Sequence, residues 1–244
     1  MGPLKGLKIL EFSGIGPGPF CGMLLSDLGA EVIRLDKSSS HGNHNKADIH
    51  NRNKKSITVD LKNPESIIEV KKLISQMDGI FEGFRPGVME RLGLGPKECL
   101  DLNKSLVYGR MTGWGQEGPM AKQSGHDINY IALSGVLDSM GRKGENPQPP
   151  LNLVGDFGGG GMLLAVGMLS AFIHAQKTGD GQVVDAAMID GSSMLMSMFY
   201  SFKEMGFWNE GKESNLLDGA AHFYDTYECL SLIHISEPTR QQGI

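Results

Sequence analysis

Three residues of this chain have the types and spacing to do chemistry on a carbon acid: His126, Asp127 and Asp156. The first two stand in Gly125-His126-Asp127-Ile128-Asn129-Tyr130, the third in Val154-Gly155-Asp156-Phe157, ahead of four glycines at 158–161. Taking a proton from one face of a carbon and returning one to the other needs a neutral base and a protonated acid. An unperturbed imidazole serves in either state near neutrality, whereas a carboxyl acid needs burial to keep its proton there. Phe157 and the apolar residues behind the glycines are expected to bury Asp156. N–H groups at a helix start would favour an enolate oxygen, and would equally favour the ionised carboxylate.

The elements that must position these groups can be read along the chain. Residues 8–12 form a strand pattern and 13–19 a turn rich in glycine and proline. Phe20, Met23, Leu24 and Leu28 then recur at helical spacing up to Gly29, and residues 31–35 form a second strand. That order also describes a dinucleotide site ending at Asp36. However, Gly14-Ile15-Gly16-Pro17-Gly18-Pro19 lacks the third glycine of that fingerprint, and its two prolines remove N–H donors. The polar stretch 37–55 holds His41, His44 and His50, and without a rigid element to fix a coordination sphere it reads as a solvated loop, not a metal site.

A strand at 56–60 precedes Asn63-Pro64-Glu65, a helix start with Ile67, Val70, Ile74 and Met77 on its buried face. Further strands are expected at 79–82, 106–111 and 183–186, and a short helix between Pro86 and Gly93. The glycine-rich loop 112–119 follows a strand end, where α/β sheets bind ligands. A helix opening at His126 puts Asn129 and Tyr130 on the histidine's face and turns Asp127 about 100° away. Residues 162–175 read as a buried core helix too short to span a bilayer. Met194, Met196, Met198, Phe199 and Phe202 read as one methionine-rich core helix.

With 40% hydrophobic residues, a net charge of -5 and a pI near 5.8, the 244-residue chain reads as globular and without the basic face that a nucleic-acid partner requires. Three scattered cysteines suggest neither a disulfide framework nor a zinc knuckle, and no membrane segment is expected.

Several phrases resemble the family III CoA-transferases (CaiB/BaiF-like): Leu7-Lys8-Ile9-Leu10-Glu11 with Gly16-Pro17-Gly18-Pro19, Asp27-Leu28-Gly29-Ala30-Glu31-Val32-Ile33, Asn51-Arg52-Asn53-Lys54-Lys55-Ser56, and Gly113-Trp114-Gly115. The stretch 125–137 looks like the branch whose members racemise 2-methylacyl-CoA thioesters. The resemblance implies an α/β fold with a Rossmann-like large domain over 1–200, and a linker and the start of a small domain over 201–229, the rest of the small domain being absent. It also implies a homodimer of interlocked chains. By position, it implies that His126 and Asp156 are the catalytic pair. Lys37, Val59, Asp60, Leu61, Lys62, Gly125, Ile128, Asn129 and Tyr130, with Glu82 and Arg85 beside them, would then be CoA-thioester contacts.

The implied reaction inverts C2 of a branched acyl-CoA of fatty-acid or bile-acid metabolism, with no cofactor besides the thioester substrate, in peroxisome or mitochondrion. The rival is a CoA-transferase in which Asp127 attacks the thioester. A further expectation is an inactive fragment. The resemblance lapses after Cys229, residues 230–244 read as a non-native tail, and a glutamate that partners the histidine in the family would lie beyond.

Overall fold

Adjacent residues of the central strands are enclosed on opposite sides: Ile9 and Leu10, Ile80 and Phe81, Val107 and Tyr108 are all 0% exposed. Strands buried on both faces belong to a sheet with helices on both sides. The computed structural model, which describes residues 2–37, 45, 47–228 and 234–236, has this architecture. His41, His44 and Cys229 lie outside the described residues, as does most of 230–244.

Six parallel strands form the sheet: β1 (Lys8–Phe12), β2 (Glu31–Lys37), β3 (Lys55–Val59), β4 (Gly79–Glu82), β5 (Val107–Thr112) and β6 (Val183–Ala187), in the spatial order β3-β2-β1-β4-β5-β6. Helix α1 (Pro17–Asp27) packs with the later helix α6 (Leu163–Thr178) on one face, around Ile9, Val32, Phe81 and Val107. Helices α2 (Pro64–Ile74), α3 (Val88–Arg91) and α4 (Pro96–Leu102) cover the other, around Leu10, Leu35, Ile80 and Tyr108. The chain winds outward through β2 and β3, then returns to the other side of β1 as β4. This reversal leaves a crevice at the carboxyl ends of β1 and β4.

Four expectations are revised. Helix α1 begins at Pro17, inside the expected turn, because the first helical N–H groups have no intrahelical partner and a proline there loses nothing. Helix α4 was not foreseen. Residues 153–162 form a π-helical segment (Leu153–Met162) that runs without a break into α6, so the apolar helical stretch spans 26 residues. By length and composition alone it could cross a membrane, yet Leu164, Ala165, Met168, Ala171 and Phe172 are packed against the sheet. The methionine-rich helix divides at Met196 into α7 (Met188–Leu195) and α8 (Ser197–Glu204), after α5 (Asp127–Leu133). Of the three methionines of the expected stripe only Met196 is buried; Met194 and Met198 are exposed, so the stripe is not core. Beyond the sheet, β7 (Thr226–Glu228) pairs antiparallel with β8 (His234–Ser236).

One buried ion pair ties the first half of the sheet to the first turn of α1. Glu11 of β1 accepts from Lys54 Nζ at 2.6 Å, and Lys54 also donates to the Pro19 carbonyl at 2.9 Å. Both side chains are almost fully enclosed. Burial drives the Glu11 carboxyl up and the Lys54 ammonium down, each opposed by its partner. Lys54→Met strands a buried carboxylate and is expected to cost about 3–5 kcal/mol, much of it recovered in the double variant Glu11→Leu/Lys54→Met. Urea unfolding of the two proteins checks this.

Candidate active site

Two clefts open at the carboxyl ends of the strands and share Phe12, Ser13, Lys37 and Phe84 as a common wall. The first, ≈ 680 Å³, lies over β1, β4 and β5. Residues 13–19 and 82–86 line it, with Gly113, Trp114, Gly125, His126, Tyr130, Asn152 and Asp156. The second, ≈ 540 Å³, lies over β1, β2 and β3, lined by Asp36, Lys37, Val59, Asp60, Leu61, Lys62, Phe84 and Leu92. Asp36 pairs with Arg34 at 2.9 Å, so it is not the free ribose acceptor of a dinucleotide site.

His126 is the N-cap of α5. Its backbone N–H donates to Asn129 Oδ1 at 2.9 Å and its imidazole is exposed to the first cleft. One turn later Tyr130 lines the same cleft, its ring edge-on to Trp114 with centroids 4.7 Å apart. Burial, then the charges of Asp156 and Asp127, push the Tyr130 hydroxyl up to about 12, so it remains a donor through the neutral range.

Asp156 enters from the π-helical segment. Its Oδ2 accepts from Asn152 Nδ2 at 3.1 Å, and a methyl group on Gly16 would stand 3.4 Å from that oxygen. The carboxylate therefore lies against the start of α1, across the floor of the cleft. Phe157 does not bury it. One residue further round the helix, Phe157 instead joins Phe20 and His50, with ring centroids 5.0 and 5.6 Å away.

The buried carboxylate is Asp127, 6% exposed and outside the lining of either cleft. Its Oδ1 accepts from the Asp156 N–H at 2.7 Å and also holds the Gly155 N–H. Its Oδ2 is enclosed without a hydrogen-bond partner among the described residues. Burial raises the Asp127 carboxyl above its ordinary range, and the two N–H groups oppose the rise. Asp127 thus joins the start of α5, which carries His126, to the segment that carries Asp156.

The other expected contacts divide. Lys37, Lys62 and Arg85 are exposed cations at the cleft walls, with no ion pair among the described residues. Val59, Asp60 and Leu61 line the second cleft, and Asp60 Oδ1 accepts the Lys62 N–H at 3.0 Å to shape that turn. Ile128 and Asn129 do not line either cleft: the helix carries them off the face that His126 and Tyr130 share, and Asn129 is occupied at the cap. Glu82 borders the first cleft from beneath, 1% exposed. Asn152 was missed, since its only sequence signal is a spacing of four from Asp156 in a stretch whose glycines conceal a helix.

A doubly wound parallel sheet with a cleft of this kind at its switch point suits a large anionic ligand, and the chain belongs to CoA-transferase family III, whose profile matches residues 4–236. The match passes Cys229 and enters the stretch set apart above as a tail. Among relatives, the α-methylacyl-CoA racemase of Mus musculus is 45% identical over 225 residues, covering 92% of this chain and 58% of the racemase. The succinyl-CoA–D-citramalate CoA-transferase of Chloroflexus aurantiacus is 35% identical, covering 90% of the chain and 57% of the transferase. The crystal structure of a CaiB/BaiF family protein from Brucella suis matches with a TM-score of 0.76 at 28% identity, over 84% of this chain and 58% of that one. The chain therefore spans less than two thirds of the length of these relatives.

Asp127→Ala removes the acceptor for two backbone N–H groups and is expected to destabilise the protein by about 1–3 kcal/mol, while Asp127→Asn keeps an acceptor and most of the stability. Denaturant midpoints of the two variants distinguish this capping role from a purely chemical one.

Proposed function

We propose that this protein is an acyl-CoA racemase that inverts C2 of 2-methyl-branched acyl-CoA thioesters. One observation carries the reading: His126 and Asp156 line one cleft at the sheet's switch point, whereas Asp127, the residue a transferase would use as nucleophile, is sealed beneath it. The 45% identity to a racemase supports the same choice.

In this reading the CoA nucleotide lies in the second cleft, its phosphates met by Lys37 and Lys62, and the thioester crosses the shared wall at Phe84 into the first, past Arg85. His126 takes the C2 proton of one enantiomer. The C–H electron pair moves into the thioester as an enolate, and the Asp156 carboxyl is the group that delivers a proton to the opposite face of C2. For the other enantiomer the roles exchange. Tyr130 is the nearby hydroxyl donor suited to the developing oxyanion. The thioester itself is the substrate and no further cofactor is called for. We read the working form as a homodimer; the exposed apolar residues Leu133, Leu153, Met194, Leu195 and Met198 support further protein packing on this side.

Incubated in deuterated water with 2-methylacyl-CoA and no acceptor acid, the protein is expected to exchange the C2 hydrogen, and His126→Ala to slow that exchange by roughly 10²–10⁴-fold. Mass spectrometry of the recovered thioester reads the result. Transfer of CoA to an added acid without C2 exchange would instead establish the transferase.

A further inference from the structure

Phe84 of the shared wall stands on the turn 83–87, and that turn is flanked by one charge cluster, buried at Glu82 and Arg110 and exposed at Glu90. Glu82, the last residue of β4, accepts the Phe84 N–H at 2.6 Å through Oε2. Its Oε1 faces Arg110 Nε of β5 at 3.3 Å. Arg110 reaches on through Nη1 to Glu90 Oε1 of α3 at 2.9 Å. Glu82 and Arg110 are 1% and 7% exposed. Between the two glutamates lie Phe84, which both clefts share, and Arg85, an exposed cation of the first.

The geometry points to the Glu82–Arg110–Glu90 cluster as a bracket that sets the 83–87 turn for CoA binding and tightens when Glu82 ionises, so that thioester binding rises with pH. This rests on the acyl-CoA reading and makes Glu82 a positioning residue for it. The groups facing Glu82 are Arg110 and Tyr108 on β5 and Glu90 on α3. The Tyr108 hydroxyl donates to the Leu94 carbonyl at 2.9 Å and stays protonated, and Asp185 of β6 acts on Arg110 from the far side.

Burial pushes the Glu82 carboxyl up to about 7, opposed by the Phe84 N–H and Arg110 and aided by the charge of Glu90. An ionised Glu82 grips the Phe84 N–H as a charge-assisted acceptor and completes the bridge to Arg110. The effect on folding runs the other way. A carboxyl raised in the folded state contributes stability that is complete below its unfolded value, near 4.5, and is lost as pH rises through about 7. Stability and ligand grip therefore change in opposite directions across this window, which a merely structural role would not produce.

The test titrates CoA binding to the full chain calorimetrically between pH 5.5 and 8.5. The unsubstituted protein is expected to gain roughly five-fold in affinity through an inflection near pH 7 beyond the change due to the CoA phosphates. Glu82→Gln is expected to lose that inflection while its melting temperature at pH 8 holds or rises. Glu90→Gln removes the repelling charge and leaves Arg110 to Glu82, so the inflection should move to lower pH. Amide exchange of Phe84 without ligand, corrected for intrinsic rates, should show pH-dependent protection in the unsubstituted chain and none in Glu82→Gln. An unchanged inflection in either variant, or Phe84 protection insensitive to Glu82→Gln, overturns the bracket. Failure of the unsubstituted chain to bind CoA at any pH overturns the functional reading instead, and the Phe84 exchange then decides the bracket alone.

Discussion

The glycine run ahead of α6 controls where the chemistry can stand. A methyl group on Gly159 would come within 2.6 Å of the Ser192 backbone nitrogen, and one on Gly160 within 2.9 Å of the Met188 side chain. Backbone packed against backbone at this separation admits no Cβ, so the segment sits lower against α1 and α7 than any side-chain-bearing helix could. Asp156 is thereby carried to the start of α1. A methyl group on Gly155 would strike Asp127 Oδ1 at 2.5 Å, and it is the missing methyl that lets that carboxylate hold two consecutive N–H groups. The π-helical winding fits this role, since wide turns of this kind are rare and collect at functional sites.

Around that contact the structure sets two charge clusters beneath the rims of the cleft. Glu11 with Lys54 fixes the first turn of α1, and Glu82 with Arg110 and Glu90 fixes the turn after β4. Both clusters lie at the carboxyl ends of neighbouring strands, and each anchors one rim of the first cleft. The exposed cations Lys37, Lys62 and Arg85 stand above them, free for a ligand. A site of this design places its fixed charges beneath the backbone and leaves its mobile ones on the surface, where an anionic substrate can reach them.

Much of the framework was legible because its signals are local. Five of the six parallel strands follow from short apolar runs bounded by turn residues, and the sixth from residues 183–186. Asn63 and Pro64 announce α2, and the cap at His126 follows from the phrase that opens α5. The methionine-rich stretch misled because helical periodicity records which residues share a face, and not whether another element covers that face. The exposure of Met194 and Met198 belongs to that gap. Likewise, nothing in residues 152–156 marks Asn152 as the partner of Asp156, since the glycines that permit the helix also lower its propensity.

By itself the sequence determined the chemistry on offer, an imidazole and carboxylates in set phrases, and the order of strands and helices that a parallel sheet would wind. Only the tertiary structure decided which carboxylate faces the cleft. Asp127 and Asp156 are the same residue type, and nothing local tells them apart. Burial and two N–H bonds make the first a cap, while contact with Gly16 and Asn152 leaves the second at the cleft wall. That division depends on distances of a few ångströms between residues far apart in sequence, which the close packing of the glycine segment sets and no local propensity encodes.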